Sequence, residues 1–130
     1  MIYLDSSALV KLVLTEPETR ELVRWLAERA DLAMVSSVVH RAEVPRAVWR
    51  TDPAAFPRSY RQLRGVERLA LTSEMLDAAT ALPPPSLPSL DAIHLASALS
   101  IRRDLTAFVA YDKRLLAAAK AAGLPTASPA

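Results

Sequence analysis

Four carboxylates, Asp5, Glu43, Asp91 and Asp112, stand where side chains of their type could do chemistry. Asp5 closes the apolar run Ile2-Tyr3-Leu4 and opens Asp5-Ser6-Ser7, and Asp112 follows Ala110-Tyr111 and opens Asp112-Lys113-Arg114. An aspartate between a strand and a helix is a natural N-cap, so each has a structural use beside any chemical one. Asp91 lies in Leu90-Asp91-Ala92-Ile93-His94-Leu95-Ala96, a helical pattern apolar nearly all round, which predicts burial. The positions three and four away (Leu87, Pro88, His94, Leu95) offer no Arg or Lys to pair with it. The plainer use of Asp91 is to favour the positive end of a helix that Ser89 caps. Glu43, in Val39-His40-Arg41-Ala42-Glu43-Val44-Pro45, has Arg46 and Arg50 at or near its helical face, so an exposed salt bridge competes with a site role. Pro45 should kink that helix, because its ring clashes with the carbonyl of Arg41.

Should these four converge on one cleft, they would repel one another and could not all stay ionised without cations among them. Oxygen-only ligation, with no cysteine and no histidine-rich spacing, favours Mg²⁺ or Mn²⁺ over zinc, and such ions typically act on phosphate esters. In phosphodiester hydrolysis one or two ions would activate a water, orient the scissile phosphate and stabilise the leaving oxygen, with no need of a separate protein base.

The elements that must position these acids are legible as short apolar runs alternating with longer helical patterns. Strands are expected at residues 2–4, 32–35, 66–71 and 106–111. Helices are expected at about 7–14, 16–30, 37–50, 54–64, 73–81, 90–102 and 113–122. Thr15-Glu16-Pro17-Glu18 has the form of a capping box with proline in the first turn. The two glycines, Gly65 and Gly123, each follow a helical stretch where a left-handed C-cap is expected. Strands separated by helices predict an α/β fold, a parallel sheet with helices on both faces. In such sheets ligands bind beyond the carboxyl ends of the strands, where Asp5 and Asp112 fall, and where Ser36 and Ser37 would follow the second strand as caps or phosphate donors. Pro83-Pro84-Pro85 through Pro88 reads as a stiff loop before the sixth helix.

Bulk properties bound the rest. At 130 residues the chain can bury one core and has no length for a second, so residues 1–130 are expected to form one domain. Without cysteine it has no disulfide, thiol nucleophile or thiolate metal site, which is compatible with a reducing cytosol. The start lacks a basic leader region, and no apolar run approaches the roughly 18 residues that span a bilayer, so neither export nor membrane insertion is expected. Net charge is only +2, yet Arg41, Arg46, Arg50, Arg58, Arg61, Arg64 and Arg68 crowd one stretch. That bias suits an RNA backbone, a partner surface or simply a solvated helix face.

The fragments Asp5-Ser6-Ser7-Ala8-Leu9-Val10-Lys11-Leu12, Arg41-Ala42-Glu43, Leu90-Asp91-Ala92-Ile93-His94-Leu95-Ala96 and Tyr111-Asp112-Lys113-Arg114-Leu115 come in an order and at intervals that resemble the PIN-domain family, and most closely the VapC toxins of bacterial toxin–antitoxin pairs. The resemblance covers the whole chain. It implies a PIN-like fold and a cytoplasmic bacterial Mg²⁺-dependent endoribonuclease. Such an enzyme leaves a 3′-hydroxyl and a 5′-phosphate, usually forms a homodimer, and is inhibited by a cognate VapB-type antitoxin. By position Asp5, Glu43, Asp91 and Asp112 become the acidic quartet, catalytic and metal-holding, and Ser6 the supporting Ser or Thr. Many members carry a basic residue three before the helix aspartate, where this chain has Pro88, which bears on substrate contacts rather than on the metal.

Further candidates have two uses each. Ser37 and His94 are taken as supporting the acids, His94 by touching a phosphate or orienting Asp91, although a histidine on an apolar helix is more often a core residue making one hydrogen bond. Arg41, Arg46, Arg50, Lys113 and Arg114 are taken as RNA contacts. Trp49 and Tyr60 could stack on bases but read as core, and His40 has no assigned role. Two other classes compete. A phosphoacceptor receiver domain would need an acid at the end of the third strand, where Leu71-Thr72 stand, and a PIN-like binder that does not cut would have no use for the full acid set.

Overall fold

The computed structural model describes residues 1–130 as a five-stranded, wholly parallel sheet covered by helices on both faces. The element order is β1 (Ile2–Leu4), α1 (Ser6–Val13), α2 (Thr19–Ala27), β2 (Met34–Ser37), α3 (His40–Thr51), a 3₁₀ turn (Pro53–Ala55), α4 (Phe56–Gln62), β3 (Val66–Leu69), α5 (Ser73–Thr80), α6 (Ser89–Ser100), a second 3₁₀ turn (Arg102–Asp104), β4 (Ala107–Val109), α7 (Lys113–Ala121) and β5 (Thr126–Ala127). The sheet order is β3-β2-β1-β4-β5, so β1 lies at the centre and the chain reverses direction about it. That central crevice is where an open parallel sheet presents a ligand.

Strand alternation divides the interior into two layers. Ile2 and Leu4 from β1 and Ala107 and Val109 from β4 join Leu9, Leu22, Val44, Val48 and Leu63 under α1 to α4. Tyr3 and Phe108 project from the other face into Leu95, Leu115 and Ala119 beneath α5 to α7, where their rings stack at 5.3 Å. No helix is long and apolar enough to cross a membrane.

Several local expectations are corrected. The Thr15 capping box does not form, and α2 starts at Thr19, whose hydroxyl accepts from the Glu16 N–H and donates to the Lys11 and Leu14 carbonyls. Gly123 takes the left-handed conformation with φ 87° after α7, but Gly65 does not. Ser36 and Ser37 do not follow β2 but end it, fully buried. Ser89 makes no cap bond, since Pro88 occupies the N-cap of α6. β5 escaped the sequence because two residues carry no periodicity, and its existence depends on pairing with Phe108 and Val109.

Candidate active site

Asp5 ends β1 and caps α1. One of its oxygens, Oδ1, accepts from the Ala8 N–H at 2.9 Å and from Ser7 Oγ at 2.6 Å, so the capping use and the site position are the same geometry. Asp112 does the same for α7, its Oδ1 accepting from the N–H groups of Arg114 at 2.9 Å and Leu115 at 3.0 Å. Capping fixes each carboxylate at a helix N-terminus and leaves the second oxygen outside these bonds. The Ser7 hydroxyl also accepts from the Tyr111 N–H at 3.2 Å, which ties the end of β1 to the segment after β4.

Glu43 rides the first turn of α3 and makes no salt bridge with Arg46 or Arg50, although all three line one cavity. Its Oε1 accepts from Ser6 Oγ at 2.8 Å and lies 2.7 Å from His94 Nε2, with Ser6 Oγ 3.1 Å from the same nitrogen. His94 is buried on α6, and its other nitrogen, Nδ1, lies 2.7 Å from the Tyr3 hydroxyl. That hydroxyl accepts from the Ser37 N–H at 3.1 Å, so its own proton is free to point at Nδ1. Burial pushes the Tyr3 phenol upward, so it keeps that proton. With the Tyr3 proton on Nδ1, the proton facing Glu43 is the one on His94 Nε2. His94 is a core residue with three hydrogen-bond partners rather than one, and among the acids it contacts Glu43 rather than Asp91.

Asp91 sits in the first turn of α6, half-buried and in no hydrogen bond of its own. Burial raises its carboxyl, as do the charges of Asp112 and Glu43, while Arg114 opposes the rise. Burial likewise lifts Asp5 to about 6 from an ordinary 3.8, against the lowering bonds of Ser7 and Ala8, and the Asp91 charge adds to the lift. The fold thus places Asp91 within electrostatic reach of Asp5, Asp112 and Glu43, and joins Glu43 to Ser6 and His94 by hydrogen bonds. As the side chains lie, no three Asp, Glu or His groups form a cluster that could hold a metal ion. The donor chemistry still fits an oxygen-seeking divalent cation. Asp5, Asp112 and Glu43 each keep one carboxylate oxygen uncommitted, and positive charge would relieve the repulsion that raises Asp5 and Asp91.

Of the remaining candidates, Arg46 and Arg50 line a cavity of about 580 Å³ with Ser6, Ser7, Glu43 and Leu90, beside the acids. Lys113 and Arg114 are exposed at the start of α7, whereas Arg41 lines a different cavity. Ser37 Oγ accepts from the Val39 N–H at 3.3 Å, and the residue meets the acid network through its backbone.

A family model described as PIN domain matches residues 2–121. The chain belongs to the PIN-domain family. Its relatives in Mycobacterium tuberculosis include ribonuclease VapC47, 45% identical over 132 residues that cover 99% of this chain and 97% of the relative. Ribonuclease VapC46 is 42% identical over 128 residues (98% and 97%), and ribonuclease VapC35 is 40% identical over 131 residues (99% and 97%). The crystal structure of M. tuberculosis VapC20, described as a Sarcin-Ricin loop cleaving toxin, superposes with a TM-score of 0.76 over 99% of this chain and 100% of that one. At 17% identity it speaks for the fold, and the fold it shares is the α/β PIN arrangement described above.

Two residues of this PIN domain's acid network, Tyr3 and Ser7, were not singled out by the sequence. Tyr3 reads as one more apolar strand residue, and only packing across the sheet puts its hydroxyl on His94. Ser7 stands beside Asp5 in its motif, but its bond with Tyr111, over a hundred positions away, has no signal in local spacing.

Proposed function

We propose that this PIN domain is an endoribonuclease dependent on a divalent cation, Mg²⁺ or Mn²⁺, and the toxin of a VapBC-type pair. In this reading it is a cytoplasmic homodimer restrained by a VapB-type antitoxin. Supporting it are three relatives named ribonuclease VapC that align over nearly the whole chain. The single observation that carries it is Asp91, an unpaired carboxyl raised by burial and by the charges of two neighbouring acids. A cluster held in that state serves a cation better than it serves stability.

Asp5, Glu43, Asp91 and Asp112 would hold the cation. A divalent ion there supplies Lewis acidity toward water and the scissile phosphate. Ser6 and His94 aim Glu43, and Ser37 anchors the Tyr3 hydroxyl behind His94. Arg46 and Arg50 receive the RNA backbone along the cavity beside the acids, Arg41 lies further along the same strand path, and Lys113 and Arg114 attract phosphate from the other side. The products would carry a 3′-hydroxyl and a 5′-phosphate.

The test is cleavage of total cellular RNA by the purified chain in Mg²⁺, in Mn²⁺ and in EDTA, with Asp5→Asn and Asp91→Asn alongside. Cleavage should require the ion and fall by about 100-fold or more in either variant, while circular dichroism shows the fold intact. Full activity in EDTA or in either variant would overturn the assignment. The absence of a ready-made group of three ligands favours one alternative, a PIN-like domain that binds RNA or a partner without cutting. Retention of RNA with no cleavage in either ion would establish it.

A further inference from the structure

A second cavity, of about 260 Å³, lies on the other side of α3, between that helix, α4 and β3. Arg41, Arg64 and Arg68 converge on it, and none of the three makes an ion pair. The nearby acids are committed elsewhere. Glu43 is bound to Ser6 and His94, and strand alternation turns Glu67 to the opposite face of β3 from Val66 and Arg68. Three guanidiniums therefore share one hollow with nothing negative among them.

His40 forms part of the same wall. It is 4% exposed, and neither of its ring nitrogens has a hydrogen-bond partner. Burial lowers its pKa and the Arg68 charge adds to that, so the ring is neutral and offers a donor and an acceptor to no one. Native proteins rarely leave such buried groups unpaired without a use. Tyr60 stands at the mouth, 57% exposed, edge-on to Phe56, which in turn packs against the exposed Trp49. Arginines beside exposed aromatic faces suit single-stranded nucleic acid, since a phosphate takes the charge and a base takes the ring.

We propose that this cavity is a second RNA-binding subsite, distinct from the acid cluster. One backbone phosphate of a single strand sits among Arg41, Arg64 and Arg68 beside His40, and an adjacent base stacks on Tyr60. The proposal rests on the ribonuclease reading for the identity of its ligand. His40 and Glu43 lie one turn apart on α3, so a strand crossing the acids continues over the start of this helix into the arginine cavity. The subsite would hold the RNA flanking the cleaved bond rather than the bond itself.

The chain's two histidines make the test direct. In EDTA, where nothing is cut, the ring resonances of His40 and His94 are followed by NMR during titration with inorganic phosphate and, separately, with oligouridine of about 10 nucleotides. Both ligands should move His40 saturably, and inorganic phosphate should leave His94 in place. Arg64→Ala/Arg68→Ala should abolish that movement and weaken oligouridine binding by about tenfold. It should also flatten the slope of log affinity against log salt by about 0.7 for each phosphate that is no longer neutralised. The control, Arg20→Ala/Arg103→Ala, removes equal charge from exposed positions elsewhere and should do neither.

An unmoved His40 overturns the proposal, as does equal weakening by the control pair. Movement with phosphate but not with oligouridine overturns the RNA assignment and leaves a small-anion site. Equal movement with polyglutamate overturns it in favour of an acidic protein partner. Because binding is read without cleavage, the two readings fail separately. A chain that binds here and cuts nothing sinks the ribonuclease, whereas a chain that cuts with His40 unmoved sinks this subsite alone.

Discussion

The acid cluster and the arginine cavity lie on either side of α3, and each gathers like charges around one buried histidine, yet they are held in opposite ways. In the acid cluster both nitrogens of His94 are partnered, and three of the four carboxylates are fixed by helix caps or serines. In the arginine cavity both nitrogens of His40 are bare, and the guanidiniums on their long stems are exposed. The contrast teaches where rigidity is needed. Chemistry on a phosphate demands carboxylates aimed to within a fraction of an ångström, which short side chains bonded to backbone N–H groups supply. Gripping a flexible backbone demands only charge that can follow it, which solvated arginines supply.

The largest effect expected on the acid side is on stability. The native carboxyl of Asp5 titrates near 6, above its ordinary 3.8, so the folded chain binds more protons than the unfolded one between those values. Stability without metal should therefore fall as pH rises through that window and stay low above it. Asp5→Asn should remove this loss, raising stability at pH 7 in EDTA by up to about 3 kcal/mol, with a smaller residual slope from Asp91. Thermal melts at pH 4 and pH 7 decide it, and identical pH dependence in the variant and the parent would remove Asp5 from the cluster.

Next in size is the difference between the histidines. His94→Leu strands the Tyr3 hydroxyl and half the support of Glu43, and should cost about 2–3 kcal/mol in denaturant unfolding. His40→Leu removes two polar atoms that had no partner to lose, and should be neutral or stabilising by up to about 1 kcal/mol. Equal costs would erase the contrast between the two regions. Smaller than the loss at His94 is that of Tyr3→Phe, which leaves the Ser37 N–H and His94 Nδ1 unpaired at about 1–2 kcal/mol. It also frees the His94 tautomer, so ring ¹⁵N shifts should show mixed protonation in place of a single Nε2–H form. An unchanged tautomer would break the link from Tyr3 to Glu43.

The acids were legible because each sits in a local pattern with one meaning at short range: a strand ending at Asp5, another at Asp112, a helix starting just before Asp91. The alternation of β and α segments was legible for the same reason, and strand and helix ends departed from expectation by a few residues. Glu43 was legible as a candidate but not in its partner. Helical spacing pointed to Arg46 and Arg50, and the partners that won, Ser6 and His94, are 37 and 51 positions away. Trp49 and Tyr60 read as core because aromatics at helical spacing usually are, but the layer they would have joined was already closed by Leu22, Val44, Val48 and Leu63.

Periodicity, caps and turn residues act over three or four positions, and so the order of elements and the place of each acid at an element's end are written in the chain as it stands. Which carboxyl feels which depends on the order β3-β2-β1-β4-β5, which lays β4, from late in the chain, against β1 at the centre of the sheet. Electrostatic and hydrogen-bond energies depend on distance in space, and until the sheet closes nothing in the spacing of Tyr3, Glu43 and His94 says that they will share one proton path.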